Sequence, residues 1–185
     1  TVVARTCPAG TIVHFYATWK DNYFTIKYHE DNESEELDRT TKVIYGQSTQ
    51  TLTIEELGYK KEKKVFIGWK LYQEDTGCWL FTNGNKEVWA KEKPEGYEYR
   101  YYCNGTVAAR TCSAGTIVHF YAEWISTNID ITSKLFGANG NDNQDDSSAI
   151  QKALNIAKTT EDTITISVPE GTYYIKNALK IYSNT

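Results

Sequence analysis

Residues 4–19 read ARTCPAGTIVHFYATW and residues 109–124 read ARTCSAGTIVHFYAEW. The two stretches differ only at Pro8/Ser113 and Thr18/Glu123, and the second starts 105 residues after the first (109 − 4). Near-identity over sixteen positions marks a tandem repeat. Almost nothing precedes the first copy, whereas a whole module of chain precedes the second. The chain therefore reads as a window from a longer array. It comprises the tail strand of one repeat (1–19), one complete repeat (23–124), a junction (126–130) and a segment of different character (131–185). The tail strand, Thr11–Trp19, has no sheet of its own. It is expected to be loosely held and able to enter the slot of another molecule as a swapped strand.

Fourteen Tyr, six Phe and five Trp in a chain rich in Thr, Ile and Val favour strands. A net charge of −4 without a basic tract gives no pull toward nucleic acid or anionic lipid. No apolar run approaches the length of a membrane span. The chain has no Met, so Thr1 does not read as a translation start. Cys7, Cys78, Cys103 and Cys112 lack zinc-site spacing. They read either as small apolar side chains or as one bridge within the repeat that involves Cys112.

In the complete repeat, Phe24, Ile26 and Tyr28 alternate with Thr25, Lys27 and His29, the period of a half-buried strand. An acidic loop, DNESEELD, follows. TKVIYG supplies a second strand, Ser48–Leu57 a short helical turn ended by Gly58, and KVFIGW a third strand after the basic turn Lys60–Lys64.

This order resembles the Listeria–Bacteroides repeat, a small β-grasp-like module carried in tandem on bacterial surface proteins. The residues that match are Phe24, Ile26, Tyr28, Tyr45 and Gly46, then Gly58, Tyr59, Phe66, Gly68 and Trp69, then the closing Phe120, Tyr121, Ala122 and Trp124. Two departures stand out. KKEKKV lengthens the one-residue gap between Gly58-Tyr59 and Phe66, and the span from Leu71 to Gly115 is much longer than the corresponding loop, although GCWLF at 77–81 is similar to its G-x-W-x-F segment.

The insertion, 82–114, reads as extra hairpins. Asn104–Gly105 sits between EYRYYC and TVAARTC, a two-residue turn signal that would set Cys103 and Cys112 roughly 20 Å apart along the ladder. Tyr97, Tyr99 and Tyr101 then share a strand face, with Trp89 near them in sequence. They form either a buried sheet face or a candidate ligand platform for stacking on sugar rings.

After the junction, Ile150, Ala153, Leu154 and Ala157 give an i, i+3, i+4, i+7 helix face capped by Asp145 or Asp146. Ile164, Ile166 and Val168 alternate as a strand, Pro169-Glu170-Gly171 turns, TYYI continues, and Leu179 and Ile181 begin another strand. The pattern FGANGN–DD–AIQ–AL–VPEGTYYI–L resembles the opening of the pectate-lyase-like, right-handed parallel β-helix proteins, a group that includes polygalacturonases, rhamnogalacturonases and phage tailspikes. The matching residues are Phe136, Gly137, Ala138, Gly140, Asp145, Asp146, Ala149, Ile150, Ala153, Pro169, Gly171, Thr172, Tyr173 and Leu179. The resemblance implies the helix that plugs the first end of the solenoid and its first coil.

The expected fold class is thus mainly β (α+β): a β-grasp-like repeat with inserted hairpins, then the helix cap and first coil of a right-handed parallel β-helix. The acids Asp142, Asp145 and Asp146 lack the alternate spacing of a Ca²⁺ loop and read as helix-terminal structure. His14, His29 and His119 read as structural. No catalytic residue, metal ligand or cofactor is expected within these residues, since the family's acidic and basic groups project from later coils. Ca²⁺ enters only as a candidate cofactor of a full-length lyase. The function expected is part of an exported bacterial surface protein whose β-helix cleaves or binds acidic, pectin-like polysaccharide, with the repeats as spacer or binding arm. The rival is a non-enzymatic adhesin or a phage tail fibre. Its partner would be a polysaccharide, a cell-wall glycan or a host-surface glycan, and its place extracellular or on the cell surface.

Overall fold

A computed structural model of the chain describes residues 8, 10–12, 14–18, 22–31, 39–108 and 112–182. Tyr23–His29 forms β1, Thr40–Ile44 β2, Thr49–Gln50 β3, Ile54–Leu57 the short helix α1, and Lys64–Gln73 β4. Cys78–Thr82 is β5, Glu87–Ala90 β6, Glu98–Tyr99 β7, Tyr101–Tyr102 β8, Val107–Ala108 β9 and Ile117–Ser126 β10. The remainder holds β11 (Asn128–Asp130), α2 (Ser147–Ala157) and β12 (Thr165–Ser167).

The main sheet runs β2-β1-β10-β4-β5-β6, with β7 joined to β5 and β8 to β4. Strand β10, the repeated GTIVHFYA stretch, lies at its centre, parallel to β1 and antiparallel to β4. Alternation in β10 sends Val118, Phe120 and Ala122 to one face, where Phe24, Ile26 and Tyr28 of β1 and Trp69 and Leu71 of β4 join them. Gly68 stands at the β-bulge that shifts the β4–β10 register between Glu123 and Trp124, with φ +144°. A Cβ there would come within 2.9 Å of both the Tyr101 Cβ and the Tyr102 carbonyl oxygen, so glycine lets β8 close on β4.

Trp69 is fully buried at the middle of this core, edge-on to Tyr28 and Phe66. Helix α1 closes one side. Its Thr53 hydroxyl accepts from the Glu56 amide while the Glu56 carboxylate accepts from the Thr53 amide, and Gly58 ends it in the left-handed region. This matches the helical turn and the Gly58 stop expected there.

Buried phenols tie these layers together. Tyr59 donates to the Tyr28 carbonyl at 3.0 Å, and the Tyr28 hydroxyl accepts from the Leu52 amide at 3.0 Å. Burial, with the Glu30 charge second, pushes the Tyr59 phenol up to about 12. A raised phenol favours the neutral form in the fold. Its contribution to stability is therefore complete below about pH 10 and is lost as pH rises through about 12. Urea midpoints measured between pH 8 and 12 should fall across that window, and Tyr59→Phe should flatten the fall. An equally steep fall in the variant would contradict this assignment.

Several local expectations are overturned. Asn104–Gly105 turns the chain, but its flanks do not pair with each other: β8 pairs with β4 and β9 with β3. The Asn104 side chain docks on α1 instead, accepting from the Ile54 amide at 2.9 Å and donating to Glu55 at 2.8 Å. That docking sends the two arms to different strands. Cys78, Cys103 and Cys112 form no disulfide with one another, which goes against a bridge within the repeat and agrees with the reading as small side chains, except that Cys103 is exposed. In the tail, the described residues among 10–18 lie in no strand, and Ile12, Phe15 and Tyr16 are 79–86% exposed. β10 already fills the slot between β1 and β4 that this copy of the sequence would need.

The stretch 126–130, expected to be the junction, is largely strand. Ser126 ends β10 opposite Lys64, Thr127 donates to the Lys63 carbonyl at 3.1 Å, and β11 pairs in parallel with β12 through Ile129 and Ile166. Ile129, Ile131, Ala138 and Ala153 form a second core, with Ala153 on the expected inner face of α2. Asp146 sits at the cap position but does not cap. Its carboxylate accepts from the Asn139 and Tyr174 amides at 2.9 and 3.0 Å and holds the first turn against the following chain. Residues 179–182 form no strand, and Tyr174 contributes only a parallel bridge to Asp145. No helix is long and apolar enough to cross a membrane among the described residues.

Candidate functional site

The face of the main sheet opposite the core is built by the other half of each alternation. Cross-strand pairing sets it out in rows: His29 beside Tyr121, Tyr121 beside Lys70, Lys70 beside Tyr101. A second row runs from His119 to Tyr72 to Trp79, and a third joins Phe81 to Tyr99. Side chains opposite each other in such rows lie within reach of contact. The result is a continuous aromatic strip. His29 stacks on Tyr121 with ring centres 4.4 Å apart, Tyr121 lies 5.4 Å from Trp79, and Trp79 lies 5.0 Å from Tyr72 and 5.7 Å from Tyr99. Tyr72, Trp79, Tyr99 and Tyr121 are each only partly buried, so the strip presents ring surface to solvent.

Two polar pairs sit within it. Lys70 is buried yet ionic, with its Nζ 2.6 Å from a Glu123 carboxylate oxygen and 5.1 Å over the Tyr99 ring. The ion pair and the ring quadrupole together offset the cost of taking the ammonium from water. His29 Nε2 lies 2.7 Å from His119 Nδ1, and His119 Nε2 lies 3.1 Å from a Glu74 carboxylate oxygen. The Glu74 carboxylate can only accept, so His119 donates to it from Nε2, and the bond between the two rings holds both imidazoles in register. Burial, with the Glu123 charge second, raises the Tyr101 phenol well above its usual range. Neutral rings bordered by fixed charges make a surface suited to stacking on sugar C–H faces and to hydrogen bonding with hydroxyls.

The four residues expected to form a sugar platform are not all brought together. Tyr99 lies in the strip, and Tyr101 shares its face beside Lys70. Tyr97 precedes β7 in a turn, its amide bonded to the Pro94 carbonyl at 3.2 Å. Trp89 pairs with Leu80 and packs against the core, on the opposite face. From the sequence, Trp79 and Tyr72 received no ligand role, Tyr121 was matched only to the closing strand of the repeat, and His29 and His119 were read as structural. The signal for them was the second face of the repeated strand, where His119, Tyr121 and Glu123 alternate with the apolar set.

Elsewhere, the carboxylates near α2 hold structure. Asp145 accepts from the Ser147 hydroxyl and amide, and the hydroxyl first of all keeps its carboxyl below the usual range. Among the described residues, no group of three or more His, Cys, Asp or Glu is placed to hold a metal ion.

A family described as rhamnogalacturonase A/epimerase, pectate lyase-like, matches residues 130–185. That match supports the pectate-lyase-like reading of the segment after the repeat and suggests a polysaccharide-related function. No curated protein and no solved structure matches the chain.

Proposed function

We propose that these residues serve a surface or exported protein as a polysaccharide-binding arm, without catalysis of their own. In this reading the module at 23–124 is a Listeria–Bacteroides-type, β-grasp-like repeat whose aromatic strip stacks on sugar rings, and 131–185 open a right-handed β-helix. The carrying observation is the run of ring contacts His29–Tyr121–Trp79–Tyr99 across four strands on the face away from the core. The pectate lyase-like match directs the choice of ligand toward acidic, pectin-like chains.

Trp79 is the centre of the strip and only partly buried, so its loss removes stacking area without opening the core. Calorimetric titration with polygalacturonate should show saturable binding by the chain. Trp79→Ala should weaken it at least about tenfold, the loss of one or two aromatic–sugar contacts. Unchanged affinity in a variant with the native circular dichroism spectrum would remove the strip from the site.

A further inference from the structure

The lengthened basic turn at 60–64 has no part in the aromatic strip, yet it has a definite place in the fold. It forms one wall of an open cleft of about 1470 Å³ between the repeat and the segment that follows it. Lys60, Lys61 and Lys64 line that wall beside Phe66 and Trp124, and the end of α2 with Tyr182 lines the other. The walls meet where β10 passes into β11, and Thr127 bonds to the Lys63 carbonyl there.

Charge in the cleft runs against that of the whole chain, which carries −4. Five lysines line it, against Glu55, Glu161 and Asp162. Some of these groups are already committed. Lys61 pairs with Asp31, Lys152 donates to the Leu135 carbonyl at 2.6 Å, and Glu55 accepts from the Asn104 amide. Lys60 and Lys64 are exposed, and among the described residues neither has a carboxylate partner. Lys158, on the far wall, lies 4.5 Å over the Tyr182 ring. Unpaired ammonium groups beside aromatic rings in a concave surface complement a chain that carries both carboxylates and sugar faces.

We infer that this cleft is a second glycan site, selective for carboxylated sugar chains, in which Lys60 and Lys64 pair with uronate groups. The inference rests on the polysaccharide-binding reading of the same chain, but it concerns a different surface and a different chemistry. The strip recognises ring faces, which esterified and free-acid chains share. The cleft recognises charge, which only the free acid has.

The test compares polygalacturonate with its fully methyl-esterified form, titrated into the wild-type chain, the Lys60→Ala/Lys64→Ala variant and Trp79→Ala. The wild-type chain should prefer the free acid about five- to tenfold at low salt, as two exposed ion pairs allow, and the preference should shrink as salt rises. The lysine variant should lose the preference and keep its affinity for the ester. A lysine variant that retains the preference overturns the inference, even where Trp79→Ala weakens both ligands and so supports the strip. If Trp79→Ala binds as wild type while the lysine variant loses its preference, the cleft stands and the strip falls. Failure of the wild-type chain to bind either form overturns both.

Discussion

Replacing Trp69 with alanine is expected to destabilise the repeat by about 3–5 kcal/mol, the usual cost of truncating a large aromatic in a packed core. Trp69 is fully buried, and its ring meets Tyr28 at 5.5 Å, Phe66 at 5.1 Å and Phe120 at 6.1 Å between centres. These partners come from β1, β4 and β10, so the cavity would open where the three strands converge. A domain holds only about 5–15 kcal/mol in total, so the variant should unfold at a much lower urea concentration or fail to fold. One mitigating term exists: among the described residues, the Trp69 indole N–H is buried without a hydrogen-bond partner, and alanine removes that unsatisfied donor. A loss below about 1 kcal/mol would mean that the site is not packed as described.

The second large effect is expected beside the other core. Gly140 and Gly171, from the FGANG and PEGTY stretches, touch backbone to backbone. A Cβ on Gly140 would stand 2.8 Å from the Gly171 Cα and 3.1 Å from the Thr172 amide nitrogen, which itself donates to the Gly140 carbonyl at 2.9 Å. Backbone cannot move aside as a flexible side chain can. Gly140→Ala should therefore cost about 1–3 kcal/mol and part the two segments. Hydrogen exchange should quicken at the Ala138 and Thr172 amides and stay slow in β1, β4 and β10. Exchange that quickens equally in the main sheet would show that the two cores unfold as one unit, and no change at Thr172 would contradict the close approach.

Much of this architecture was legible in the residues, and the reasons are local. Phe24, Ile26 and Tyr28 face inward because strand side chains alternate, and Gly58 stops α1 in the left-handed region that glycine favours, whereas the Thr53–Glu56 capping box at its start went unread. Ala153 faces the second core because helical spacing places it there. What could not be read is non-local. The Asn104–Gly105 pair obeys the hairpin rule in isolation, but the Asn104 amide finds stronger use on α1, and its arms go to β4 and β3.

The rest of the candidate site was missed for a related reason. Period two describes both faces of a strand equally and does not say which face a neighbouring layer covers. Trp79 and Trp89 look alike in sequence. Pairing of Leu80 with Trp89 places Trp89 on the core face and leaves Trp79, one residue from Leu80, on the other. Tyr99 and Tyr101 were picked out correctly as sharing a face, but their neighbours Tyr121 and Tyr72 reach them only through pairing across β10, β4 and β5.

The most direct measurement of the central claim follows the indole resonances of the five tryptophans, Trp19, Trp69, Trp79, Trp89 and Trp124, while polygalacturonate is titrated into the chain. Binding on the aromatic strip predicts a saturable shift of the Trp79 signal, with the buried Trp69 and the core-facing Trp89 unmoved. A titration that leaves Trp79 in place while other indoles shift, or that shifts none, would contradict the assignment of that face to polysaccharide.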